Sequence, residues 1–233
     1  MKEIPRIRSL SLWIFLIPII AINVCLFIAV NYHIFENTIF TVDQIGRSRF
    51  TIPYLDGSVS ISRVSRTFPQ FLIFKPSMII TAFILFAYWH KNNLLINGFN
   101  KTESKKNKFM IFGVLSAIFL ILHSLLLGVE SEIKIFKLLR RVIMVGFIIF
   151  EVAAQSILVF NFYKLKQQLS GLFNPIILKL KIILVSILVL VAFASLPLLI
   201  KSGNVHFKHW LEWNYFIGVM LFYLLTRFFW KKI

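Results

Sequence analysis

The sequence predicts an all-α fold, a single polytopic membrane bundle over residues 1–233 with six transmembrane helices and both termini in the cytoplasm. Three observations predict it. Hydrophobic residues make up 58% of the chain and charged residues only 15%, against roughly 25% charged in soluble domains. The apolar residues form blocks rather than amphipathic stripes. At about 1.5 Å per residue, a block of about 20 residues crosses a hydrocarbon core of about 30 Å. Six blocks reach that length: Leu10–Val30, Phe71–Trp89, Phe109–Gly128, Val142–Phe162, Ile182–Ile200 and Trp210–Trp230. Finally, the basic residues gather between the blocks, with a bias to one side.

The first block follows Lys2, Arg6 and Arg8. It is too long for a signal-peptide core and no small-residue cleavage site follows, so it reads as a retained helix. Pro18 is expected to kink it, a defect that neighbouring helices repair in lipid. With the N-terminus inside, the inner segments Met1–Ser9, His90–Lys108, Tyr163–Lys181 and the end from Arg227 hold fifteen Lys and Arg, and the outer segments hold ten. That is the positive-inside signature. Lys101, Lys105, Lys106 and Lys108 carry most of it. Asn100-Lys101-Thr102 is a glycosylation sequon on the inner side, where it stays unmodified. The tryptophans Trp13, Trp89, Trp210, Trp213 and Trp230 fall near helix ends and read as interfacial anchors.

The first outer loop, residues 31–70, is the one long segment rich in turn formers. Thr38–Val42 and Ser58–Val64 partly alternate apolar and polar residues as strands do, and Asp56-Gly57 is a hairpin-type turn signal. Pro69 and Pro76 bracket the start of the second helix, with Pro76 in a first turn that has spare backbone donors. Arg47, Arg49, Arg63 and Arg66 make the loop basic, suited to touching headgroups or to gripping a lipid phosphate bidentately. Lys75 snorkels from the outer end of the second helix.

Within the blocks, Glu151 and Gln155 lie one turn apart near the middle of the fourth helix. An ionisable group at mid-bilayer costs about 2.5–3.5 kcal/mol on insertion scales, so it needs a partner. Gln155 or His123 can supply one. A structural hydrogen bond and a functional carboxylate both remain open for Glu151. Glu212-Trp213 opens the sixth helix, where the carboxylate meets the positive end of the helix dipole.

The net charge of +17 flanks the membrane blocks rather than forming a nucleic-acid face, so lipid headgroups are the expected partners, with a membrane-protein partner also possible and no nucleic acid. The single cysteine, Cys25, permits no internal disulfide and no cysteine metal site. His206, His209 and Glu212 fall short of a closed metal site. No cofactor, metal or catalytic motif is expected. Bacterial inner membrane and eukaryotic endomembrane or plasma membrane both suit the composition.

Pro53-Tyr54-Leu55-Asp56, the Phe68-Pro69 lead-in to the second helix and Glu212-Trp213 at the start of the last, within a six-helix layout, resemble the FRAG/DRAM/SFK superfamily of damage-regulated autophagy modulators and GPI-anchor remodelling factors. Where that family often has a serine after the Pro-aromatic-aliphatic stretch, this chain continues with Asp56-Gly57. The resemblance implies lipid handling or lipid-linked membrane regulation through the first outer loop, with Pro53, Tyr54, Asp56, Arg63, Arg66, Glu212 and Trp213 as headgroup-facing residues. A small transporter or channel using Glu151 for a proton or cation, and a non-catalytic adaptor acting through His90–Lys108, are the competing expectations.

Overall fold

The computed structural model describes residues 2–35, 38–39, 51–99, 107–129, 133–200 and 203–231. Its long helices are α1 (Glu3–Val30), α4 (Phe71–Phe99), α5 (Lys108–Leu126), α6 (Lys134–Lys164), α7 (Pro175–Ile200) and α8 (Val205–Phe229), with short helices α2 (Pro53–Asp56) and α3 (Ile61–Arg66) between α1 and α4. No strand occurs among the described residues beyond one isolated bridge between Phe173 and Trp230.

Five helices are long and apolar enough to cross a membrane: α1, α4, α5, the Leu138–Lys164 part of α6 and the Pro175–Ser195 part of α7. The chain is a multi-pass membrane protein. In α8, His206, Lys208, His209, Glu212, Asn214 and Arg227 interrupt the apolar run, and it is not among those five. It nevertheless packs between α1 and α7, so the six long helices close a ring in the order α1, α4, α5, α6, α7, α8.

Most helices outrun their apolar blocks. α4 continues ten residues beyond Trp89, and α7 starts at Pro175 rather than Ile182. Proline suits a helix start because its missing N–H has no partner there in any case, and the Asn174 side chain accepts from the N–H of Ile176 at 3.0 Å. The early start draws Lys179 and Lys181 out of the inner loop and into a helix. Pro18 lies inside the unbroken helix α1. Pro76 is the sixth residue of α4, beyond the first turn in which it was expected.

The two ends of the ring are distinct. Arg8 Nε donates to the carbonyl of Arg227 at 3.3 Å, and Lys91 pairs with Glu3 at 3.1 Å. The N–H of Asn174 donates to the Phe229 carbonyl at 2.8 Å, and that of Lys231 to the Leu172 carbonyl at 3.0 Å. Both chain ends, the C-terminal part of α4 and the α6–α7 connection therefore share one end. At the other end, α2 lies on α8, and α3 on α1, α4 and α8.

Ser58–Val64 is not a strand. Ser60 caps α3 by accepting from the N–H of Arg63 at 3.2 Å, and Ser65 returns its hydroxyl to the Ile61 carbonyl at 2.8 Å. A serine cap followed by a free turn of backbone outweighs a short alternation. Asp56-Gly57 is not a hairpin either. Gly57 ends α2 in the left-handed region at φ +59°. Of the five tryptophans, Trp89, Trp213 and Trp230 are fully buried, and only Trp13 and Trp210 are exposed in the manner of interfacial anchors. Most of the strand reading at Thr38–Val42, the residues Glu36, Asp43, Arg47 and Arg49, the sequon at Asn100, the lysines Lys101, Lys105 and Lys106, and Glu130 and Glu132 lie outside the described residues.

Candidate functional site

The loop helices are fastened to the bundle by the motif residues. Trp213 Nε1 donates to the Val59 carbonyl at 2.7 Å, and its ring meets that of Tyr54 edge-on with centroids 4.7 Å apart. The Tyr54 hydroxyl donates to Asn23 on α1 at 3.0 Å, and Asn214 donates to the Tyr54 carbonyl at 2.9 Å. Glu212 does not sit in the first turn of α8. It lies two turns in and accepts from the N–H of Ser62, at the start of α3, at 3.3 Å. His209 Nδ1 lies 3.1 Å from the carbonyl of Gly57. His209 precedes the apolar block at Trp210, and burial pushes its imidazole below the usual histidine value, against the Gly57 contact, which raises it. Asp56 accepts from the N–H of Ser58 at 2.9 Å and remains exposed. Tyr54, Glu212 and Trp213 thus hold the loop in place, and Pro53 is buried at the start of α2.

What they hold in place is one wall of a cavity of about 360 Å³, lined by Ser62 and Arg66 of α3, His123 and Leu127 at the end of α5, and Arg140, Arg141 and Met144 of α6. Ser62 and Arg66 are four residues apart, so they share a face of α3. The C-terminal end of α3 abuts the α5–α6 turn, where a Cβ at Gly128 would stand 3.1 Å from the Arg66 carbonyl. Arg140 donates to the Val129 carbonyl at 3.3 Å. Among the described residues, Arg66 and Arg141 carry no ion pair or side-chain hydrogen bond. Three forked cations around a cavity of this size suit a phosphate group better than a neutral ligand.

Of the residues expected to meet headgroups, Arg66 alone lines this cavity, while Arg63 is exposed beside it. His123 joins Arg66 rather than Glu151. Glu151 is buried at 1% exposure and accepts from Ser116 of α5 at 2.6 Å, from Gln155 at 3.0 Å and from the Tyr223 hydroxyl of α8. Gln155 also reaches the Val219 carbonyl at 3.3 Å. The sequence reading missed Arg140 and Arg141, together with Ser116, Tyr223 and the fully buried Lys181. Polar pairs at helical spacing, Tyr88 with Asn92 and Tyr223 with Thr226, were the available signal.

No group of three or more His, Cys, Asp and Glu side chains able to hold a metal ion occurs among the described residues. No family model, curated protein or solved structure matches the chain.

Proposed function

We propose that this protein is a six-helix membrane protein that binds a phosphate-bearing, anionic lipid headgroup at its outer end, in the cavity between α3, α5 and α6. The observation that carries the reading is the convergence of Arg66, Arg140, Arg141 and His123 on one cavity of about 360 Å³. That volume lies near the lower bound of about 300 Å³ for ligand pockets, which suits a headgroup rather than a whole lipid. Leu122 and Leu125 of α5 and Leu138, Val142 and Val145 of α6 are exposed nearby, giving acyl chains an apolar surface to follow.

The sixth crossing is α8, since it completes the ring between α1 and α7. The end bearing both termini is the cytoplasmic one, in keeping with its larger share of basic residues. The resemblance to the FRAG/DRAM/SFK superfamily points to the same class of lipid-linked work, with the motif residues acting as the fasteners that present Arg66.

Native mass spectrometry with lipidomics on the full chain in mild detergent tests this. An enriched anionic phospholipid that survives Arg63→Ala and is lost in Arg66→Ala/Arg141→Ala supports it. No enriched lipid, or the same lipids in all three proteins, refutes it.

A further inference from the structure

A second constellation lies inside the ring, away from the cavity. Lys181 of α7 is fully buried. Its amine donates to Thr226 Oγ1 at 2.7 Å and lies 3.8 Å from the ring centroid of Phe222, 5.4 Å from that of Phe229 and 6.0 Å from that of Phe162. The Tyr88 hydroxyl is 3.3 Å from the same Thr226 oxygen. Tyr88 and Tyr223 meet edge-on with centroids 5.1 Å apart, and Tyr223 donates to Glu151. A buried amine, linked through Thr226 to Tyr88, and a buried carboxyl, bonded to Tyr223, therefore lie on either side of the edge-on contact between the two tyrosine rings. Thr226 and Tyr223 are three residues apart on α8, about 4.5 Å along its axis.

Neither group forms a direct ion pair among the described residues. A lone charge in this interior is strongly disfavoured, and an opposite charge nearby offsets the penalty. The two groups must therefore ionise together or not at all. We propose that Glu151 and Lys181 form one internal proton-exchange site holding a single exchangeable proton. With the proton on Lys181, the pair is carboxylate and ammonium. With the proton on Glu151, the pair is carboxylic acid and amine. One N–H bond breaks, one O–H bond forms, both charges vanish, and no outside reactant is needed.

The surroundings supply partners for both states. The carboxylate has donors in Gln155 and Tyr223 and shares the Ser116 hydroxyl with the Gly113 carbonyl, and the ammonium has ring faces and Thr226. For the neutral state, the Gln155 Oε1 atom is buried without a partner and can accept the carboxylic proton when the amide turns over. Asn92 Oδ1, whose side-chain amide donates to the Tyr88 carbonyl at 2.8 Å, and Trp89 Nε1 are likewise buried and unpartnered, which leaves the column unused hydrogen-bonding capacity. The titratable groups facing the pair are Tyr88 from α4 and Tyr223 from α8. α5 contributes Ser116, α6 contributes Gln155 and Phe162, and α7 contributes Lys181 itself.

Infrared spectroscopy of the full chain in lipid nanodiscs tests the site. The reading is the carboxylic carbonyl band that shifts in D2O and is absent from Glu151→Gln. Lys181→Met removes the partner charge, so the Glu151 band should grow by about twofold or more. Lys181→Arg fixes a permanent cation, so the band should disappear. A band of equal area in wild type and Lys181→Met overturns the proposal, as does a band that persists in Lys181→Arg or the absence of a Glu151 band from all proteins. Lys181→Met is close in shape to lysine and decides the matter alone if the arginine variant does not fold.

Discussion

Trp213→Phe isolates the fastening of the first outer loop. The phenyl ring keeps the edge-on contact with Tyr54, now 4.7 Å between centroids, and loses the indole N–H that donates to the Val59 carbonyl at 2.7 Å. Val59 is 1% exposed, so its carbonyl is left buried without that donor. A buried polar group stripped of its partner costs about 1–3 kcal/mol. Local opening of α2 and α3 should then rise by about 5- to 150-fold, at about 1.4 kcal/mol per decade. Limited trypsin digestion read by mass spectrometry reports this opening as cleavage after Arg63 and Arg66, which lie in α3. Cleavage after Lys164 and Lys166, at the opposite end, should not change. Trp213→Ala should open the loop further, because loss of a buried aromatic side chain costs about 3–5 kcal/mol. Cleavage after Arg63 and Arg66 that stays within about twofold of wild type, below the smallest penalty expected for an unpaired buried carbonyl, refutes the role of Trp213 as a fastener.

Three further outcomes are expected. Arg66→Ala should weaken binding of a short-chain anionic phospholipid by about 10- to 100-fold, the equivalent of one charge-assisted contact, with Arg66→Lys intermediate because it keeps the charge and loses the fork; titration by native mass spectrometry checks this, with Arg63→Ala as the control. Gly57→Ala should destabilise the loop by at least about 1–2 kcal/mol, because alanine resists the left-handed backbone and its Cβ would collide with the His206 carbonyl; the thermal unfolding midpoint in detergent reads it. His209 is held below its ordinary value by burial, so its contribution to loop attachment is present above the unfolded histidine value of about 6.5 and is lost as pH falls through the folded value. Hydrogen exchange of residues 57–66, corrected for intrinsic rate, should therefore speed up on acidification, and His209→Asn should flatten that dependence.

The sequence by itself determined the all-helical membrane character and the placement of five crossings, because a run of about 20 apolar residues has few stable alternatives in lipid. It also marked Glu151 as a group that needs partners. The loop was harder to read. Ser58–Val64 alternates like a strand, yet a single capping hydroxyl at Ser60 decides for helix. Helix rotation was not legible at all. A helix that is apolar all round, such as α7, shows no polar face to mark which side turns inward. Lys181 therefore reads as a flanking charge until the ring closes and buries it against Phe222 and Thr226. Likewise, Arg66 reads as a headgroup contact on the first outer loop, while Arg140 and Arg141 read only as charges of a separate outer turn. Only the docking of α3 onto the bundle turns them toward one cavity, because contacts between residues far apart in the chain depend on how helices pack, which hydropathy along one strand of sequence does not encode.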